Sequence, residues 1–199
     1  MESNFEDREL FSARFEAAHK LYETDPEFAL IELKNLAESG SLKSMICLGS
    51  IFGDGIAVQK DIEQAEFWYK RAINSGSFRA SYYLGALYLR RKEYLKAEMT
   101  LSMAANGNYP PALYLLGKHY VFGAGGKKNI NMGLDLLERG SKFNHIYARR
   151  YLATTLLRGE CGTIGRIRGI CLLVTGFIEG LRIAFRDPSS PRLSKNGVW

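Results

Sequence analysis

Four nine-residue segments of this chain superimpose on one another, and that repetition constrains the fold more than any other feature. They occupy residues 44–52, 80–88, 112–120 and 148–156, so their starts lie 36, 32 and 36 residues apart. Each opens on a small residue: Ser44, Ala80, Ala112 or Ala148. Each carries a leucine fifth, Leu48, Leu84, Leu116 or Leu152, and closes on a large apolar residue, Phe52, Tyr88, Tyr120 or Leu156. Offsets of four residues place these side chains on one face of a helix, here called the A helix. The residue after each leucine is Gly49, Gly85, Gly117 or Ala153. Its missing bulk lets a second helix approach closely.

A turn and a second apolar-periodic segment follow each A helix. In the first, over residues 61–76, Asp61 is the expected N-cap and Gly76 the expected left-handed residue past the C-terminus. The small pair Ala65/Ala72 of this B helix recurs as Gly133/Gly140 and as Gly169/Gly176. Small residues two turns apart suit the inside of a close crossing, although Gly133 and Gly169 each cost their helix about 1 kcal/mol relative to alanine. Residues 8–40 read as a degenerate leading repeat. Leu21 and Tyr22 end its A helix, and Asp25-Pro26-Glu27 opens its B helix.

These residues carry a family resemblance. Leu48-Gly49, Gly53-Asp54-Gly55, Asp61, Ala65, Trp68-Tyr69, Lys70, Ala72 and Gly76 together resemble one complete Sel1-like repeat. The third repeat keeps Leu116-Gly117, Tyr120, Gly123-Ala124-Gly125 and Gly140 but has no tryptophan. The second replaces the glycine loop with a shorter turn over residues 89–94, closer to a tetratricopeptide repeat, and the fourth diverges over residues 158–165. The resemblance implies an all-α fold, a right-handed superhelix (solenoid) of about four to five antiparallel helix pairs. Its approximate repeats are 8–40, 41–76, 77–108, 109–144 and 145–180, in one domain over residues 1–186 with a flexible tail over 187–199. It also implies a non-catalytic adaptor or assembly scaffold.

Composition bounds this reading. Hydrophobic residues make up 46% of the 199 and charged residues 24%, as in ordinary folded proteins. The polar, acidic N-terminus has no signal-peptide pattern, and no stretch reaches the roughly 20 apolar residues that span a bilayer. Three irregularly spaced cysteines, Cys47, Cys161 and Cys171, suit a reducing compartment. A cytoplasmic location is the expectation. Charge is uneven along the chain. Residues 1–40 carry ten acids and four bases, whereas residues 117–199 carry fourteen bases and five acids. Three readings stay open: two differently solvated ends, head-to-tail self-association, or a basic end facing an acidic partner, lipid or nucleic acid.

No constellation argues catalysis, a metal or a cofactor. Residues 123–128 are glycine-rich, but Val121 stands where a phosphate loop needs its first glycine, and no Ser or Thr follows the lysines. An interhelical turn with positive φ is the expectation there. His19, His119 and His145 lie far apart, and no Cys-x-x-Cys occurs. The carboxylates Glu63 and Glu66 share a helix with Lys60, Lys70 and Arg71, a solvated face.

Two surfaces are the candidates for binding. The third and seventh A-helix positions are expected off the core: Ile46/Ser50, Tyr82/Ala86, Tyr114/Lys118 and Arg150/Thr154. Tyr82, Tyr114, Lys118 and Arg150 are the protein-binding candidates, since Tyr and Arg dominate binding hot spots. The alternative is that the tyrosines pack against neighbouring repeats. The basic clusters Arg90-Arg91-Lys92, Lys127-Lys128 and Arg149-Arg150 accompany no nucleic-acid motif, so nucleic acid is not an expected partner. The second surface is an amphipathic helix over residues 168–186, with Ile170, Leu173, Val174, Phe177, Ile178, Leu181 and Phe185 on one face. It is read as a closing B helix, a self-association or partner contact, or an in-plane anchor of a peripheral membrane scaffold.

Overall fold

In the computed structural model, backbone is described for residues 3–55, 57–126, 128–159 and 162–186. Side chains are described for the same residues except 3–11 and 179–186. The described residues form ten α-helices and no strand. The chain divides after Arg91 into two compact units.

The first unit contains α1 (Ser3–Leu21), α2 (Pro26–Glu38), α3 (Leu42–Asp54), α4 (Ile62–Asn74) and α5 (Phe78–Arg90). Short polar connections make neighbours antiparallel. Helix starts are set by side-chain caps: Asp25 accepts from Phe28 N–H, Ser41 from Ser44, Asp61 from Gln64 and Ser77 from Ala80. Pro26 adds a pre-set φ at the first turn of α2. Each cap satisfies one of the amides that a helix N-terminus leaves unbonded. Gly76 takes φ +85°, as expected of the residue ending α4.

The repeated positions are the core. Ser44, Leu48, Ala65, Ala72, Ala80 and Leu84 are all buried. A Cβ on Gly49 would stand 2.6 Å from the Tyr69 ring, so the glycine after the repeated leucine is what lets α4 close on α3. Arg14 bridges α1 to α2 through Glu32 at 2.6 Å.

The second unit contains α6 (Tyr94–Asn106), α7 (Pro110–Phe122), α8 (Ile130–Lys142), α9 (Ile146–Leu157) and α10 (Gly162–Arg186). Its core joins Val121, Leu134, Leu137, Ala148, Leu152 and Leu156. Tyr114, Ile130, Tyr151 and Leu172 pack on the rim of this cluster. The glycine pairs lie inside close crossings. A Cβ on Gly133 would meet Val121 Cγ2 at 2.6 Å and the Gly117 carbonyl at 2.9 Å. One on Gly169 would meet the Ala153 carbonyl at 2.8 Å.

Residues 123–126 form a turn with a short 3₁₀ segment, Ala124–Gly126. Gly123 ends α7 at φ +74°, and Gly125 sits at φ +72° against the Tyr94 side chain. The turn therefore serves chain reversal.

α1 begins at Ser3. Two expectations need correction. Ile46 is buried, because α3 is covered on more of its circumference than the periodicity implied. The last helix begins at Gly162 rather than Arg168, since Gly162 at φ +71° turns the chain and Gly165 is already buried in the helix. The tail over 187–199 lies outside the described residues.

Candidate functional site

In the first unit, stacked tyrosines join a B helix to the following A helix. Tyr69 of α4 and Tyr83 of α5 lie parallel, with ring centroids 6.3 Å apart and an interplanar angle of 7°. The Tyr69 hydroxyl bonds Ser50 Oγ at 2.9 Å, and burial pushes its pKa up to about 12. Tyr82 meets Tyr83 edge-on at 5.2 Å and is half-buried. The Arg79 guanidinium lies over Tyr83 at 5.7 Å, a cation–π arrangement. Arg90 is paired with Asp54 at 3.0 Å.

The face of α7 and α9 in the second unit holds an aromatic cluster. Tyr114 projects from α7 between His145, Tyr147 and Tyr151, at centroid distances of 5.5, 6.1 and 6.1 Å. Lys118 stands one turn beyond Tyr114 on α7, and Arg150 is the residue before Tyr151 on α9; both are exposed. Neither α7 nor α9 carries a single Asp or Glu. Burial raises the Tyr114 pKa and lowers that of His145. His145 Nδ1 accepts the Ala148 amide at 3.1 Å, which makes His145 the N-cap of α9. Tyr114 is thus half-packed by the following repeat and half-presented at the surface, between the two alternatives drawn from sequence.

Sequence reasoning missed Tyr147, Tyr151 and His145. The i, i+4 spacing of the two tyrosines puts them on one face, but their meeting with Tyr114 is set by helix packing.

α10 shows the opposite of an ordinary amphipathic closing helix. It lays Gly165, Gly169 and Leu172 against the core and turns its large apolar side chains outward. Ile164 is 81% exposed, Val174 51% and Phe177 53%; Ile167, Ile170, Leu173 and Ile178 are exposed as well. Leu172 packs against the rim of the core cluster. Ile164 and Ile167 were missed because the helix was expected to start later. The side chains of Leu181 and Phe185 lie outside the described residues. Arg168 reaches Glu138 of α8 at 2.9 Å.

Among the described residues no three His, Cys, Asp or Glu side chains gather as metal ligands. No described helix is long and apolar enough to cross a membrane.

The Sel1 repeat model matches residues 43–77 and 110–142. The chain is 31% identical over 114 residues to HRD3B of Arabidopsis thaliana, an ERAD-associated E3 ubiquitin-protein ligase component. That alignment covers 54% of this chain but only 17% of HRD3B. Among solved structures, c5321, a protective antigen of uropathogenic Escherichia coli displaying an SLR fold, matches with a TM-score of 0.59 at 28% identity. The match covers 65% of this chain and 29% of c5321, so the chain spans less than a third of either protein. A Sel1 repeat protein from Oxalobacter formigenes matches in fold with a TM-score of 0.67, at 18% identity, over 94% of this chain and 84% of that one. The repeat signature is matched at two positions, so the chain carries Sel1 repeats over residues 43–77 and 110–142, in an all-α fold shared with a solved Sel1 repeat protein.

Proposed function

We propose that this chain is a protein-binding scaffold whose second unit holds its partner on the face of α7 and α9. Sel1 repeat proteins are generally protein-interaction scaffolds. The observation that carries the reading is chemical. Exposed Lys118 and Arg150 stand on the same two helices as the tyrosine cluster around Tyr114, and neither helix carries an acid. Rigid tyrosines offer contact area at low entropic cost, and cations on helices without acids favour a partner that brings carboxylates. The complementary ligand is an acidic protein segment. Tyr82 occupies the equivalent position in the first unit and is proposed as a separate contact.

The test uses charge reversal at exposed positions, which leaves the fold intact. Partners are captured on the immobilised full chain, identified, and their affinities remeasured with Lys118→Glu/Arg150→Glu. The proposal expects affinity to fall at least tenfold and to weaken with salt. Unchanged affinity in the double variant would sink this face.

A further inference from the structure

We infer that the outward apolar face of α10 docks on the outward face of α2 in a second copy of the same chain, joining copies head to tail. The two surfaces are complementary in shape class and in charge. α10 offers Ile164, Ile167, Ile170, Val174 and Phe177 at helical spacing, all exposed. Its residues include four arginines and one glutamate. α2 offers Phe28, 56% exposed, and Ile31, 59% exposed, on the side opposite its buried Ala29, Leu33, Leu36 and Ala37. Glu27 and Glu38 stand four residues before and seven after Ile31, on the same exposed face.

Repeat logic supplies the geometry. A helix pair in such an array buries its apolar stripe against the next pair, and the described outer face of α10 is largely apolar. The pair α1–α2 is itself a repeat-type pair, so in a second copy it provides what a following repeat would. The charge of residues 1–40, ten acids against four bases, opposes the basic balance around α10. Two α10 helices packed on each other would instead juxtapose like charges. A patch of this apolar extent on one helix marks a contact surface rather than solvent-facing decoration. The contact joins unlike patches, so it leaves each copy with one free α10 and one free α2, and growth continues unless the rotation closes a ring.

Sedimentation velocity and light scattering on the full chain decide between occupants. Ile164→Lys/Ile167→Lys blocks the α10 face, and Phe28→Asp/Ile31→Asp blocks the α2 face. All four positions are exposed, and circular dichroism confirms retained helicity. Should one pair unfold, Phe177→Lys or Glu27→Lys/Glu38→Lys replaces it. The wild type is expected to form concentration-dependent species beyond the dimer that dissociate in high salt. Each variant alone is expected to be monomeric, and their equimolar mixture to form a one-to-one dimer and nothing larger. A monomeric wild type at every concentration overturns the inference. So does an α2 variant that still dimerises, which points to α10 pairing with itself. Flotation of a monomeric wild type with anionic vesicles, abolished by Ile164→Lys/Ile167→Lys, assigns the face to lipid instead and equally overturns it.

Discussion

The imidazole of His145 caps the helix that carries Arg150: its Nδ1 accepts the Ala148 amide at 3.1 Å. An acceptor Nδ1 requires the neutral ring with its proton on Nε2. Burial among the tyrosine rings favours the same form and lowers the His145 pKa from its ordinary 6.5. A group whose folded-state pKa is depressed below the unfolded value binds fewer protons when folded. Its stabilising contribution is therefore complete above pH 6.5 and is lost as pH falls towards the lowered folded value. Protonation also forfeits the cap, and a helix cap is worth about 1 kcal/mol. Thermal melts in steps from neutral to mildly acidic pH check this. His145→Asp keeps an acceptor at the cap and is expected to flatten the dependence over that window.

The glycine pair Gly169/Gly176 of α10 responds oppositely to a methyl group. Gly169→Ala drives a Cβ to 2.8 Å from the Ala153 carbonyl, where backbone must move. It is expected to destabilise the second unit by about 1–3 kcal/mol. At Gly176 the nearest atoms belong to the Arg149 side chain at 3.6–3.9 Å, which is ordinary contact. Gly176→Ala therefore stabilises by about 0.5–1 kcal/mol through helix propensity. Denaturant midpoints of the two variants should move in opposite directions.

In the first unit, Tyr69 and Ser50 are coupled through a 2.9 Å hydrogen bond across α3 and α4. Tyr69→Phe removes it and leaves the ring stack on Tyr83. The expected cost is about 0.5–1.5 kcal/mol, and a double-mutant cycle with Ser50→Ala should return a coupling of that order. A coupling indistinguishable from zero would show that the hydroxyl is satisfied by water.

Gly123 closes α7 in the left-handed region at φ +74°, with the Lys128 Cβ 2.8 Å from where its own Cβ would stand. Gly123→Ala is expected to lower stability by about 1–2 kcal/mol. Gly126, also at positive φ but with open space around it, isolates the backbone component of that cost.

The repeat was legible because buried positions recur at intervals of four in each A helix, and helices impose that period. Ser44, Leu48, Leu84, Ala112, Leu116, Ala148 and Leu152 are all buried. The caps Asp25 and Asp61 follow from the same logic, since few residues can bond a free helix amide. His145 escaped because histidine is an uncommon cap. The cluster around Tyr114 escaped because which rings meet is decided by the crossing of two helices, not by spacing within one. On α10 the large apolar residues and the glycines compete for the inside. Close approach gave it to Gly165 and Gly169, and left Ile164, Val174 and Phe177 outside.

The central claim is that the second unit holds its partner on the face of α7 and α9. Site-specific photocrosslinking tests it most directly, with the photoreactive residue placed at Tyr147 on that face or at Met132 on α8. The account expects a discrete crosslinked partner from position 147, lost on Lys118→Glu/Arg150→Glu, and none from position 132. The same partner crosslinked from position 132 and not from 147, or undiminished by the charge reversal, would contradict it.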